Sequence, residues 1–211
     1  MAITFDASRK IFKLDTPSTS YAFAVHEAGY LFHLYYGAYL PDDNLLSMLD
    51  RGMFSSFCPD FPHYVATGVS PDVTPSEYSV AGTGDFRVSA LQIRNKNGDV
   101  STDIRYVSHR ILEKKPALCG MPALRDENGD SETLEVTTRD AVTGAVVKLY
   151  YTVYQDMPVM TRSVVVENDS DAAMDLERVY SACLELPTYD YDMVHLYGKW
   201  SKERTVAERP L

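Results

Sequence analysis

The chain has 211 residues, of which 45% are hydrophobic and 24% charged, and its formal net charge is −10. This balance is typical of a globular domain and excludes collagen-like, coiled-coil and disordered classes. The acidic surplus disfavours nucleic acid and anionic membranes as partners, and no apolar run approaches the roughly 20 residues that span a bilayer. Because the first residues also lack the apolar core of a signal peptide, we expect a cytoplasmic protein.

The first half of the chain alternates strand-like runs with turn signals. Ser20 to Glu27 and Tyr30 to Tyr36 flank Gly29, which predicts an antiparallel hairpin with a short loop. Asp42 to Asp50 is the best helical candidate, because leucines recur there at helical spacing behind an acidic cap. The segment from Arg51 to Pro75 is rich in proline, glycine and aromatic residues, which predicts a long irregular loop. Loops of this length in compact domains often carry function.

The second half continues the same rhythm of short strands. Arg87 to Asn95 and Asp103 to Leu112 flank an Asn97-Gly98 turn signal, which predicts that these two strands pair as a hairpin. Thr143-Gly144 is a second turn signal, between two of the remaining strands. Those strands are predicted at Glu132 to Arg139, Val146 to Tyr154, Met160 to Asn168, Met174 to Leu186 and Val194 to Tyr197.

The spacing of these elements defines the fold class. Fifteen tyrosines support strand formation, and about ten short strands between turns are typical of a sandwich of antiparallel sheets. Neither a βαβ rhythm nor a glycine-rich phosphate fingerprint is present. We therefore predict an all-β protein, a large antiparallel β-sandwich with few or no helices.

Arg87 is the first candidate for a functional side chain. It follows a glycine-rich turn and Asp85, and a guanidinium in that position can clamp a carboxylate through two parallel hydrogen bonds. The alternative is structural: Arg87 could pin a loop by pairing with an acidic residue such as Glu77.

A second candidate is the start of the aromatic loop. Asp50 and Arg51 can hydrogen-bond sugar hydroxyls, while Phe54 or Phe57 packs against the apolar face of a sugar ring. The alternative is a packed surface loop without a ligand.

The third candidate lies near the end of the chain, where Tyr191 and Trp200 flank His195. This polar and aromatic cluster is a candidate functional segment, and the alternative is that Trp200, the only tryptophan, closes the core.

The sequence supplies no recognisable catalytic constellation. No pair can be singled out among the 30 acidic residues as the two carboxylates of a glycosidase, and no GxSxG elbow is present. The cysteine and histidine spacings match no metal site. We therefore predict no catalytic residue, no metal and no cofactor within this chain.

Five stretches, in order, resemble the N-terminal domain of glycoside hydrolase family 36, the microbial α-galactosidases that act on raffinose, melibiose and related sugars. They are TSYAFAVHEAGYLFHLYYG, PSEYSVAGTGDFRVSALQIRNKNG, RYVSHRILEKKPALCGMPAL, YTVYQDMPVMTRSVVVEN and LELPTYDYDMVHLYGKWSKER.

The resemblance implies a large β-sandwich over residues 1–211, followed by a (β/α)8 barrel that holds the two catalytic aspartates of a retaining glycosidase. This chain alone is then expected to be inactive. The resemblance further implies a homo-oligomer, in which the N-terminal domain packs on a neighbour and helps to shape its pocket for α-galactoside oligosaccharides. The matching substrate-binding residues would be Asp50, Arg51, Phe54, Phe57, Tyr191 and Trp200. Two alternatives stay open: a stand-alone carbohydrate-binding module with no enzyme attached, and an independent enzyme.

Overall fold

In the described part of the chain, the regular secondary structure is almost entirely β-strand. The computed structural model describes residues 2–42, 44–49, 69–71, 73–82, 87–127, 129–186 and 190–210. In these ranges the one helical element is a 3-10 turn, Leu46–Met48. The strands are β1 (Ile3–Asp6), β2 (Ile11–Asp15), β3 (Thr19–Val25), β4 (Leu31–Ala38), β5 (Leu91–Arg94), β6 (Ile104–Leu112), β7 (Ser131–Asp140), β8 (Ala145–Tyr154), β9 (Met160–Asn168), β10 (Asp175–Val179), β11 (Asp192–Lys199) and β12 (Lys202–Pro210).

Two four-stranded sheets form the body of the molecule. The first has the order β1-β2-β3-β4 and the second β6-β7-β8-β9, with antiparallel neighbours throughout. Side chains from both sheets contribute to one continuous hydrophobic core. Two further pairs, β5 with β10 and β11 with β12, make two-stranded sheets. The predicted all-β antiparallel sandwich is confirmed.

Alternating side chains explain why the central strands are buried on both faces. On β3, Tyr21 and Phe23 enter the core between the sheets, while Ala22 and Ala24 pack on the outer side against Leu45. Successive residues of a strand point to opposite faces, so this single strand serves two clusters.

Two of the predicted hairpins form as expected. β3 and β4 pair around Gly29, whose φ of +88° is a conformation that side chains rarely adopt. A Cβ at Gly29 would lie 3.1 Å from the Cβ of Arg105, so the turn also needs the space that glycine leaves. β7 and β8 pair across the Thr143-Gly144 turn.

The hairpin predicted around Asn97-Gly98 is wrong. The turn itself exists, with the amide of Gly98 donating to the carbonyl of Asn95 at 2.8 Å. However, β5 pairs with β10 and β6 pairs with β7, so the strands on either side of the turn belong to different sheets. A turn sequence reverses the chain, whereas the pairing of each strand depends on which surface buries it.

The predicted helix at Asp42 to Asp50 is reduced to the 3-10 turn Leu46–Met48, and Asp50 itself lies outside the described residues. Leu45 is buried against β3, so the apolar residues of this segment pack locally without forming an α-helix. No strand was predicted for residues 202–210, which form β12. Within the described ranges, we find no helix with the length and apolar character needed to cross a bilayer.

Candidate functional site

A buried carboxylate, Glu77, is the centre of a polar cluster between the two sheets. Its side chain is fully buried and accepts hydrogen bonds from the hydroxyls of Tyr21 and Tyr151, each at 2.8 Å. The guanidinium of Arg162 lies 2.9 Å from the same carboxylate, and His33 Nδ1 lies 3.3 Å from it. A buried charge is tolerated only when it is paired and hydrogen-bonded, and these four partners satisfy that condition.

The two tyrosines of this cluster are held in their neutral, donating form. Burial raises the pKa of Tyr21 and of Tyr151 well above 10, and the negative charge of Glu77 raises both further. Protonated phenols can donate to the carboxylate at any physiological pH, so the cluster has a fixed hydrogen-bond pattern. This rigidity is suited to anchoring neighbouring chain segments.

Glu77 also anchors the end of the loop that the sequence analysis singled out. The backbone amide of Glu77 donates to the carbonyl of Leu31 at 3.0 Å, and the amide of His33 donates to the carbonyl of Pro75 at 2.9 Å. The final part of the loop is therefore attached to β4 by main-chain bonds and to the core by the Glu77 side chain.

Arg87 binds a carboxylate, but its partner is not Glu77. It forms an ion pair with Glu185, and its Nη2 donates to the carbonyls of Pro71 and Thr74, both at 3.1 Å. Glu77 pairs instead with Arg162, so the suggested partnership of Arg87 with Glu77 is wrong. The loop-pinning role proposed for Arg87 agrees with these contacts.

Four of the six predicted substrate-binding residues cannot be placed. Asp50, Arg51, Phe54 and Phe57 lie outside the described residues. The described chain resumes at Val69, which is buried.

Tyr191 and Trp200, the other two, lie at opposite ends of β11. Tyr191 immediately precedes the strand and is 38% exposed, whereas Trp200 follows it in the hairpin turn and is 93% exposed. At about 3.3 Å per residue, the nine steps between them span roughly 30 Å. Within one copy the two rings therefore cannot line the same monosaccharide pocket, and Trp200 does not close the core.

An open pocket of about 510 Å³ lies beside the Arg87–Glu185 pair. Its lining includes His33, Tyr36, Met48, Val73 and Glu185. These residues come from β4, the 3-10 turn, the loop end and the segment before β11, so four separate parts of the chain meet at this pocket. In the described part of the chain, no group of three or more His, Cys, Asp or Glu residues could hold a metal ion.

Sequence reasoning missed Arg162 and Glu185 as anchoring residues. Glu185 is 98 positions from Arg87, and Arg162 interacts with Tyr21 across 141 positions. No local pattern could have identified these pairs, because each residue sits in an otherwise ordinary strand or loop.

Comparison with known proteins identifies the family. The family model described as "Glycosyl hydrolase family 36 N-terminal domain" matches residues 29–211. This chain belongs to that family. The family 36 resemblance recognised in the sequence is thereby confirmed.

Individual relatives align with this family 36 domain over almost its whole length. α-Galactosidase AgaA of Geobacillus stearothermophilus is 37% identical, and the alignment covers 100% of this chain and 29% of that protein. The crystal structure of α-galactosidase AgaB from the same organism superposes with a TM-score of 0.90 at 38% identity, covering 100% of this chain and 28% of that one. A variant of AgaA in complex with raffinose superposes with a TM-score of 0.87 at 38% identity, covering 96% of this chain and 28% of that one. The chain thus spans less than a third of the length of the relatives that it matches.

Proposed function

We propose that this chain is the non-catalytic N-terminal β-sandwich domain of an α-galactosidase, a retaining glycoside hydrolase that removes terminal α-galactosyl residues from oligosaccharides such as raffinose and melibiose. The observation that carries the proposal is the alignment with AgaB, in which the whole chain corresponds to 28% of the enzyme. The catalytic aspartates then lie in a (β/α)8 barrel within the remaining part of the enzyme. This barrel is also the proposed intramolecular partner of the sandwich.

The test is an activity assay on two purified proteins, the 211-residue chain and the same chain joined to its barrel. Release of galactose from raffinose should require the longer protein. Turnover by the 211-residue chain alone would place a catalytic carboxylate pair among these strands and contradict the proposal.

The C-terminal hairpin supports a docking role for this domain. Val194, Leu196 and Val206 are 61%, 62% and 63% exposed, and Leu196 is paired with Val206 across the hairpin. Exposed apolar side chains that cluster in this way mark an interaction surface. We assign this hairpin to contacts with the barrel or with a neighbouring subunit of a homo-oligomer.

Oligomerisation through the hairpin can be tested by light scattering on the complete enzyme. Leu196→Asp should weaken assembly because it buries a charge in an apolar contact, whereas Val142→Asp, at a residue 93% exposed in the β7–β8 turn, should leave assembly unchanged. Equal behaviour of the two variants would remove the hairpin from the proposed interface.

We further propose that the domain completes the sugar pocket of a neighbouring subunit. Asp50 and Arg51 would bind hydroxyls, Phe54 or Phe57 would wall the pocket, and Tyr191 and Trp200, being far apart, would contact different parts of an oligosaccharide or different neighbours. A solved AgaA variant binds raffinose and another binds stachyose, which supports α-galactosides as the ligand class.

The Asp50→Ala enzyme should have a lower kcat/KM for raffinose because a hydroxyl acceptor is lost. Asp171→Ala, in the loop between β9 and β10, is the matched control and should behave as wild type. An Asp50→Ala enzyme with an unchanged kcat/KM would remove Asp50 from the site.

A further inference from the structure

The Arg87–Glu185 pair joins three parts of the chain that are distant in sequence. The guanidinium of Arg87 lies just before β5, Glu185 lies in the segment that leads to Tyr191, and the carbonyls of Pro71 and Thr74 belong to the loop. In addition, the amide of Ser76 points to Glu185 Oε1 at 3.4 Å. One side-chain pair therefore connects the loop, the strand β5 and the approach to the C-terminal hairpin.

The geometry of arginine explains how one residue makes all these contacts. Its planar guanidinium directs Nη1 to the carboxylate and Nη2 to the two carbonyls, so the ion pair and the backbone bonds form together. The Arg87 side chain is 32% exposed and that of Glu185 25%, so solvent screens the pair only in part. An ammonium group in place of the guanidinium could not present the same planar fork of donors.

A second arginine–glutamate pair nearby provides a comparison. Arg94 on β5 pairs with Glu177 on β10, which are already neighbouring strands. Its additional backbone contact is the carbonyl of Gly98, 3.3 Å away in the adjacent turn. The Arg94 pair therefore reinforces existing strand pairing, whereas the Arg87 pair adds a side-chain link between the loop end at residues 71–76 and Glu185, which do not lie on paired strands.

We propose that Arg87 and Glu185 are positioning residues of the family 36 domain: they fix the loop around residues 69–76 against the segment 180–186 and so set the place of Tyr191 relative to that loop. This inference rests on the proposed function, because it concerns the residues that are to meet substrate. Neither Arg87 nor Glu185 contacts the sugar in this arrangement.

The first test measures amide hydrogen exchange in the 211-residue chain. Arg87→Met should accelerate exchange in peptides from residues 69–76 and 180–186, because both lose their contacts with the guanidinium while the Tyr78–Tyr180 hydrogen bond remains. Arg94→Met is the control and should leave these peptides at the wild-type rate. Unchanged exchange in the Arg87→Met chain would overturn the inference without any bearing on the enzyme's activity.

The second test uses the complete α-galactosidase. Arg87→Met should raise KM for raffinose about tenfold with little change in kcat, since misplacement of groups remote from the chemistry can cost up to about a hundredfold. Arg87→Lys, which keeps the charge, should recover part of the loss, and Arg94→Met should leave KM unchanged.

The KM values of two variants distinguish the positioning role of Arg87 and Glu185 from the substrate-binding role of Tyr191. A wild-type KM in the Arg87→Met enzyme, together with a raised KM in Tyr191→Ala, would overturn the positioning role alone. A wild-type KM in Tyr191→Ala would remove Tyr191 from the substrate site and overturn both that assignment and the positioning role built on it.

Discussion

The sandwich and the C-terminal hairpin are made of strands of similar length, yet they differ sharply in burial. In β8, eight of ten residues are buried, and a residue such as Leu149 is covered on all sides. In residues 192–210, which form β11, Trp200, Ser201 and β12, none is buried. Both regions have continuous main-chain pairing, so the difference lies in what covers their side chains.

This contrast indicates that the two regions contribute differently to folding. A two-stranded hairpin is at best marginally stable alone, whereas strands packed face to face bury enough apolar surface to fold independently. We infer that the sandwich supplies the folding free energy of this chain and that the exposed hairpin contributes little to it.

Loss of the buried ion pair between Glu77 and Arg162 should lower the free energy of unfolding more than any other change considered for the sandwich. Glu77→Gln removes the negative charge and leaves the Arg162 guanidinium buried without its counter-ion, which should cost about 3–5 kcal/mol of unfolding free energy. Urea denaturation of the 211-residue chain measures the change. As the control, Glu167→Gln removes the exposed partner of Lys148 and should cost at most about 1 kcal/mol. Similar losses of unfolding free energy in the two variants would show that the buried Glu77 pair stabilises the fold no more than the exposed Glu167 pair.

Truncation of an apolar side chain compares the two regions directly. Leu149→Ala leaves a cavity in the core between the sheets and should cost about 2–5 kcal/mol in unfolding free energy. Leu196→Ala shortens a side chain that is 62% exposed on the hairpin and should change that free energy by less than about 0.5 kcal/mol. If Leu196→Ala proved as damaging as Leu149→Ala, the hairpin would have to belong to the folding core.

Alanine substitutions at two glycines, one in each region, test whether the hairpin unfolds separately from the sandwich. Gly29→Ala forces a side chain into a positive-φ turn and against Arg105, so global unfolding should become easier by about 2–3 kcal/mol. A Cβ at Gly198 would lie 2.8 Å from backbone atoms of Lys202 and Glu203, so Gly198→Ala should disrupt the hairpin.

Heat denaturation followed by circular dichroism, combined with amide exchange, distinguishes these outcomes. Gly198→Ala should accelerate exchange in residues 192–210 while the melting temperature of the sandwich stays at the wild-type value. A melting temperature lowered as much as in Gly29→Ala would show that the two regions unfold together.

The stability of the sandwich should also depend on pH. The pKa values of Tyr21 and Tyr151 are raised by burial and by the charge of Glu77, so the folded state favours their protonated forms. The resulting stability is fully present below the unfolded-state pKa of about 10 and is lost as pH rises above it, by up to about 1.4 kcal/mol per pH unit for each group.

Urea denaturation between pH 9 and pH 11 measures this dependence. The double variant Tyr21→Phe, Tyr151→Phe should be less stable at pH 9 but should lose less stability as the pH increases. A decline equal to that of the wild type would assign the alkaline sensitivity to other groups.

Local signals in the sequence predicted much of the fold. The hairpins at Gly29 and at Thr143-Gly144 formed because the turn residues and the flanking strands are adjacent in the chain. The Asn97-Gly98 turn also formed, but the prediction of its strand partners failed, because β5 found its partner β10 far along the chain. For the candidate site, Tyr191 and Trp200 stay predictions, and their separation along β11 became apparent only in the structure.

Alternation of apolar and polar residues, the abundance of tyrosine and the turn residues determined by themselves that this chain is an all-β antiparallel domain, because strand geometry and tight turns are governed by neighbouring residues. Five stretches of sequence also identified its family. Only the tertiary structure decided that Glu77 pairs with Arg162, that Arg87 pairs with Glu185, and that the last hairpin is left uncovered. These contacts join residues up to about a hundred positions apart, and their partners are selected by the packing of whole sheets, which no local pattern specifies.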